Sequence, residues 1–195
     1  MDAFEKFMMA VEQGQDDLTE QLVLGLSKAD EPALIRLAGS INVDERWWAV
    51  RALAYCGQGA SVPAVVHTLA DMAADVRAVA CLALAELYLR VPEGVRDHLS
   101  ALGKCLADEE GFVRQSAVDG LAKCGDDAVE TLASVLQSSH EGARTRAAVT
   151  LRKIASIGAA PLLYQYLNDP NYLVRTYCYE ALDEMGLLDN ILVTV

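Results

Sequence analysis

Apolar and small residues recur along the chain in six copies of a thirteen-residue pattern. In every copy a leucine lies eight residues after the pattern start; the six are Leu26, Leu53, Leu84, Leu121, Leu151 and Leu182. The pattern therefore starts at positions 18, 45, 76, 113, 143 and 174. Apolar residues at offsets 0, 4, 8 and 11, with small ones at 4 and 7, form one face of an α-helix. The pattern predicts six amphipathic helices.

We predict that a second helical stretch follows each of these helices, and three examples are 63–69, 129–136 and 161–167. The pattern starts are 27, 31, 37, 30 and 31 residues apart, and a period of this size is typical of a solenoid of stacked helix pairs. We expect one all-α domain over 1–195, with a capping helix in 1–14 and a cap or tail in 187–195. We interpret the widest spacing as a longer loop or an extended helix.

Turn residues also recur at fixed places. Glycine at offset 12, in Gly57, Gly125 and Gly186, predicts a left-handed helix stop. At three junctions an aspartate precedes the arginine of offset 1 by six residues: Asp71 and Arg77, Asp108 and Arg114, Asp169 and Arg175. A short acid in a turn accepts from exposed backbone N–H groups. Stacking would bring each acid near a guanidinium, so we predict a structural ladder, with solvated loop charges as the alternative.

The segment from Asp108 through Phe112 and Arg114 to Ala117, continuing to Leu121 and Gly125, resembles HEAT repeats of the phycobilisome-lyase type. Designed α-helical repeat proteins built from that consensus are similar, and the resemblance covers residues 15 to 189. It implies a right-handed α-α superhelix, a HEAT-like solenoid of about six helix pairs. The first copy departs most, with Thr19 in place of arginine and Asp30 in place of glycine, as expected of a terminal cap.

Composition limits the class of partner and the compartment. The net charge of −12 argues against nucleic-acid binding, which needs a basic stripe facing the phosphates. The acidic start lacks the regions of a signal peptide, and no apolar run reaches about 18 residues, so we expect a cytoplasmic protein without a membrane span. The cysteines are predicted to be core residues, because they fall on apolar positions and no two have CxxC spacing.

We find no convincing catalytic constellation in the sequence and expect neither an enzyme nor a bound cofactor or metal. His140–Glu141 is one His-Glu pair, whereas the HEAT-repeat deoxyhypusine hydroxylases hold two irons with several such pairs. His140 is therefore interpreted as a capping or surface residue, and a metal-dependent hydroxylase remains only an alternative. The resemblance implies a second alternative, a bilin lyase-like accessory protein, since some relatives attach tetrapyrroles to cysteines of phycobiliproteins.

The face of each first helix opposite its apolar face carries offsets 2, 3, 6 and 10. In the second copy these are Trp47, Trp48, Arg51 and Tyr55; Phe112, Arg146 and Tyr177 extend the same face in later copies. Exposed Trp, Tyr and Arg are enriched in binding hot spots, and the resemblance assigns binding to this face. We predict a surface for a protein or peptide partner on a monomer or weak homodimer. The alternatives for both tryptophans are cover by the N-terminal helix and burial in a homodimer.

Overall fold

The computed structural model of the chain describes residues 1–188, in which every regular element is helical. Contacts divide the chain into two units, of which the first runs from Met1 to His98 and the second begins at Leu99. This division falls within the widest spacing between pattern starts, and the single domain over 1–195 stays a prediction. The predicted cap or tail of 187–195 lies, from 189 onward, outside the described residues.

The first unit holds seven of the described helices: α1 Ala3–Glu12, α2 Asp16–Val23, α3 Glu31–Leu37, α4 Val43–Cys56, α5 Val62–Thr68, α6 Ala74–Arg90 and α7 Pro92–Arg96. The second unit holds six: α8 Leu99–Lys104, α9 Gly111–Lys123, α10 Val129–Leu136, α11 Glu141–Ile154, α12 Ala160–Gln165 and α13 Tyr172–Glu184. The six pattern copies fall on α2, α4, α6, α9, α11 and α13. Each of the six predicted amphipathic helices is thus present.

Helices stack as neighbouring pairs inside each unit. In the first unit α4 packs against α3 and α6, and α5 packs against α6. In the second, α11 packs against α9, α10 and α13. These first helices therefore contact a second helix or the first helix of a neighbouring copy, as expected when one helix pair is too small to bury its own apolar face. The fold is an all-α solenoid of the predicted class.

The predicted apolar offsets form the core. In the third and fourth copies the side chains of these offsets are buried: Val76, Ala80, Leu84, Leu87, Val113, Ala117, Leu121 and Cys124. The first copy differs, because Thr19 and Val23 are buried whereas Leu18, at offset 0, is exposed. Its helix is therefore turned by about one residue, 100°, relative to the pattern. This departure agrees with the expectation that the first copy is a terminal cap.

All five cysteines are buried, as predicted. Burial raises the pKa of Cys56 to about 11 and the pKa values of Cys124 and Cys178 to about 12. Because only a thiolate attacks an electrophile or binds a metal readily, these three side chains behave as small apolar core residues at neutral pH.

The widest spacing results from an extended helix. Helix α6 has 17 residues, and the short α7 follows it directly. The extension places Arg90 at the C-terminal end of α4, where its guanidinium donates to the carbonyl oxygens of Leu53, Ala54 and Gly57 at 3.3, 2.7 and 3.2 Å. The last carbonyls of an α-helix have no partner within the helix, so Arg90 caps α4 from the next repeat.

The predicted aspartate–arginine ladder is present, and its arginines and aspartates form hydrogen bonds with different partners. The Arg77 guanidinium donates to the backbone oxygen of Asp71 at 3.0 Å, whereas the Asp71 carboxylate accepts from Arg46 of the preceding repeat at 2.7 and 2.8 Å. The Asp71 carboxylate also accepts from the backbone N–H of Ala73. Asp169 repeats this arrangement with the preceding Arg144, at 3.4 Å. The arginine thus stabilises its own turn through backbone oxygens, and the aspartate binds the arginine of the preceding repeat.

The three offset-12 glycines do not have one conformation. Gly125 and Gly186 have φ of 57° and 68°, so the left-handed stop predicted for them is confirmed. The prediction is wrong for Gly57, whose φ is −63°. A Cβ at Gly57 would lie 2.5 Å from the Leu53 oxygen and 2.7 Å from the Ser61 hydroxyl, so glycine is required there by close packing.

Replacing Asp71 with asparagine should lower the free energy of unfolding by about 2 kcal/mol at neutral pH, since it removes a charge-assisted hydrogen-bond pair. The bonds from Arg46 hold the pKa of Asp71 below its usual value. Such a carboxylate stabilises the fold above its unfolded-state pKa, and this contribution disappears as the pH falls through the lower folded-state pKa. Urea titrations should therefore separate wild type and Asp71→Asn at pH 7 and bring them together in acid, once the pH lies below the lowered folded-state pKa of Asp71.

The matched control is Asp119→Asn, because Asp119 bonds to Lys153 at 2.7 Å on an exposed surface. Its effect should stay below about 1 kcal/mol. Equal losses for the two variants at pH 7 would contradict a structural role for the ladder.

Candidate functional site

The outward face of the first unit is partly covered. Trp47 is half-buried, and Trp48 is only 7% exposed. The two rings meet edge to face with centroids 4.8 Å apart. The prediction that Trp48 points outward is therefore wrong. Offset 3 lies only about 40° from the edge of the buried sector, so close stacking of neighbouring helices covers it.

Helix α4, which carries both tryptophans, packs against α1, α2, α3 and α6. Contact with α1 agrees with the alternative that the N-terminal helix contributes to their cover. Farther along α4, Arg51 forms an ion pair with Glu20 of α2. The Tyr55 side chain is 44% exposed, and its hydroxyl lies 3.4 Å from the Leu24 carbonyl oxygen. Tyr55 is therefore the most exposed of the four predicted anchors.

The second unit contains a groove of about 730 Å³ across three successive first helices, α9, α11 and α13. Its lining combines apolar, aromatic and hydrogen-bonding side chains: Gly111, Arg114, Gln115, Val118, Glu141, Gly142, Thr145, Arg146, Val149, Asn171, Tyr172, Leu173 and Tyr177. All of these residues occupy offsets between −3 and 6 of copies four to six. The groove therefore results from the repeat itself, which presents the same part of each helix side by side.

Arg146 is a half-buried cation of this groove. Its guanidinium donates to the Leu106 carbonyl oxygen at 3.2 Å. Burial, and then repulsion from the positive charge of Arg114, lower the pKa of Arg146 from its usual value. Because an arginine stays protonated at neutral pH even so, the groove carries two positive charges close together.

The structure brings together two of the three residues predicted in this unit. Arg146 and Tyr177 both line the groove, whereas Phe112 is 47% exposed beside it and is not among its lining residues. Sequence reasoning missed Arg114, which it assigned to the ladder, and Asn171 and Tyr172, which precede the pattern start. Asn171 and Tyr172 could have been found from their position just before a pattern start. Residues there lie beside the first turn of the helix, which carries the outward offsets.

Asn171 and His140 fix the starts of the helices that form the groove. Asn171 accepts from the backbone N–H of Leu173 at 2.8 Å and caps α13. The Nδ1 atom of His140 accepts from the N–H of Ala143 at 3.0 Å and caps α11, so the interpretation of His140 as a capping residue is confirmed. Residues 1–188 contain no group of three or more His, Cys, Asp or Glu side chains placed to hold a metal ion. Over the same range no helix is long and apolar enough to cross a membrane.

The family model of HEAT repeats matches residues 31–122 and 99–183, while sequence comparison with curated proteins gives no significant match. A designed armadillo repeat protein, solved in complex with the peptide (KR)4, is similar with a TM-score of 0.51 and 18% identity over 92% of this chain and 98% of that one. An engineered protein is similar with a TM-score of 0.50 and 20% identity, over 91% and 85%. At such identities these structures show the fold alone. The family matches span most of the chain, which therefore belongs to the HEAT-repeat family.

Proposed function

We propose that this chain is a non-enzymatic module that binds a protein or peptide through the groove of its second unit. The observation that carries the proposal is the groove itself, built from the same offsets of α9, α11 and α13. A solenoid face of this kind offers an extended segment a row of equivalent positions.

The lining suits a peptide. The half-buried Tyr177 and the exposed Tyr172 supply rigid apolar surface with a polar tip, a combination enriched in binding hot spots. Gln115, Thr145 and Asn171 supply amide and hydroxyl groups suited to the backbone of an extended chain. The designed armadillo repeat protein of similar fold holds a peptide, (KR)4. That comparison supports the class of ligand and gives no information about its sequence here.

In the first unit, Trp47, Arg51 and Tyr55 remain predicted anchors, and Trp48 is no longer one because it is buried. The phycobilisome-lyase subtype, the cytoplasmic location and the monomeric or weakly dimeric state also stay predictions from the sequence. We prefer binding to a bilin lyase-like or hydroxylase activity because the groove lining supplies amide and hydroxyl groups suited to the backbone of a peptide.

The test is selection of short random peptides on the immobilised protein, followed by fluorescence anisotropy with the peptides recovered. Tyr177→Ala should weaken their binding by about 2 kcal/mol, as truncation of a hot-spot aromatic does. Tyr179→Ala is the matched control, because Tyr179 is 55% exposed on the same helix and does not line the groove. Its effect should stay within about 0.5 kcal/mol.

Failure to recover any peptide that binds the folded protein would contradict the proposal. So would equal losses for Tyr177→Ala and Tyr179→Ala, because binding would then not use the groove.

A further inference from the structure

The ladder lacks an acid in the fifth copy, and Arg114, the arginine of the preceding copy, lines the groove. Asp71, Asp108 and Asp169 occupy the position five residues before a pattern start, where the fifth copy has Ser138. The equivalence is structural as well, because Arg144 donates to the Ser138 carbonyl oxygen at 3.3 Å, six residues back, as every ladder arginine does in its own turn. A serine therefore replaces the acid that would face the preceding repeat.

A serine at this position is harmless only where the preceding repeat has no arginine. The second copy has Ser40 there, but its preceding repeat carries Thr19, and the Ser40 hydroxyl accepts from the N–H of Asn42 at 3.1 Å. The repeat before Ser138 carries Arg114. Among the described residues the Ser138 hydroxyl is buried without a hydrogen-bond partner. The ladder thus lacks a carboxylate where Arg114 of the preceding repeat would bind one, and in the described residues the Ser138 hydroxyl that stands there has no hydrogen-bond partner.

Arg114 lines the groove and is held by its own turn, donating to the carbonyl oxygens of Asp108 and Glu109 at 2.7 and 2.8 Å. Within 1–188 no carboxylate forms an ion pair with it, in contrast to Arg46 and Arg144. Its remaining N–H groups are available to a ligand.

Arg146, like Arg114, forms no ion pair with a carboxylate in the described part of the chain. The acids on the flanking helices instead pair with other residues. Asp119 accepts from Lys153, and Arg152 pairs with Glu180 and Glu184. Glu141 also lines the groove, where it is exposed to solvent. In the described residues, this acidic protein therefore has two half-buried guanidinium groups in its groove that form no ion pair with a carboxylate.

We propose that the groove binds an acidic segment of a partner protein, with an aspartate or glutamate carboxylate held by Arg114 and Arg146 where the ladder acid is missing. The proposal rests on the proposed function and specifies its ligand. A planar guanidinium matches a carboxylate through two parallel hydrogen bonds, and partial burial strengthens such a pair. Salt screens the repulsion from the distant acids of this chain far more than the contact itself.

The experiment uses two labelled peptides, one alternating glutamate with serine and one with glutamine replacing every glutamate. The wild-type protein should bind the glutamate peptide about tenfold or more tightly than its glutamine counterpart. Arg146→Gln should remove that preference. The control Arg152→Gln, on the same helix but paired outside the groove, should leave it unchanged.

Ser138→Asp provides the sharper variant, because it supplies the missing ladder acid. It should pair with Arg114 and raise Tm by about 2–4 °C, the shift that about 1 kcal/mol gives in a protein of this size. It should also lower affinity for the glutamate peptide by about tenfold, since the new carboxylate pairs with Arg114 in place of a glutamate of the peptide. A protein that becomes more stable and binds less cannot owe its loss of binding to misfolding.

Equal binding of the two peptides, or a glutamate preference that survives Arg146→Gln, would overturn this inference. If selected peptides without acidic residues still bind, the proposed function stands. Failure of every peptide to bind would overturn both. A lower Tm for Ser138→Asp would show that the serine does not fill a ladder position, and that result would also reject the inference.

Discussion

Trp48→Ala should lower the free energy of unfolding by about 3–5 kcal/mol, the cost of removing a large buried aromatic side chain and leaving a cavity. Trp48 is 7% exposed and meets the Trp47 ring edge to face, on a helix that contacts α1, α2, α3 and α6. Its loss therefore leaves a void that several helices border. Urea unfolding followed by far-ultraviolet circular dichroism measures the change without relying on tryptophan fluorescence.

Tyr55→Ala is the control for this variant, since Tyr55 lies on the same helix and is 44% exposed, against 7% for Trp48. It should cost about 1 kcal/mol or less. If Trp48→Ala unfolds at the same urea concentration as wild type, Trp48 does not belong to the core and is restored as a candidate anchor.

Leu121→Ala should lower the free energy of unfolding by about 2–5 kcal/mol. Leu121 is completely buried at offset 8 of the fourth copy, in the helix that packs against both α8 and α11. Because a single helix pair cannot hold its apolar face together alone, a cavity at this position weakens the contacts with both neighbours. The same urea titration measures the loss.

Gln115→Ala is the control variant, as Gln115 is exposed on the same helix and its side-chain amide donates to Asp119 at 3.1 Å. It should cost about 0.5 kcal/mol or less. Similar losses for Leu121→Ala and Gln115→Ala would mean that the helical phase taken from the repeat is wrong.

The core of the fold was predictable because one helical phase recurs in successive copies. Leu84 and Leu121 sit at the same offset and are both completely buried. Trp48 was not predictable in the same way, because offset 3 lies at the border of the apolar face and its exposure depends on how closely adjacent repeats approach. The sequence indicates helical phase, whereas the distance between helices depends on every side chain at the contact.

The site was predictable only in part. Arg146 and Tyr177 were expected on the outward face, and the groove contains both. Arg114 was assigned to the ladder because each acid was expected near a guanidinium, without a rule for which repeat supplies it. Once the structure shows that the acid faces the preceding repeat, Ser138 becomes visible in the sequence as a missing partner. Pairing across repeats is a non-local property, and short-range spacing does not determine its direction.

The cap that Arg90 places on α4 has a consequence for how the first unit comes apart. Three carbonyl oxygens at the end of α4 depend on a side chain from the following repeat. Fraying of α4 therefore requires α6 to shift as well, whereas the end of an ordinary helix loosens by itself. The second and third repeats are thereby joined into one cooperative opening unit, in a fold whose repeats otherwise separate one interface at a time.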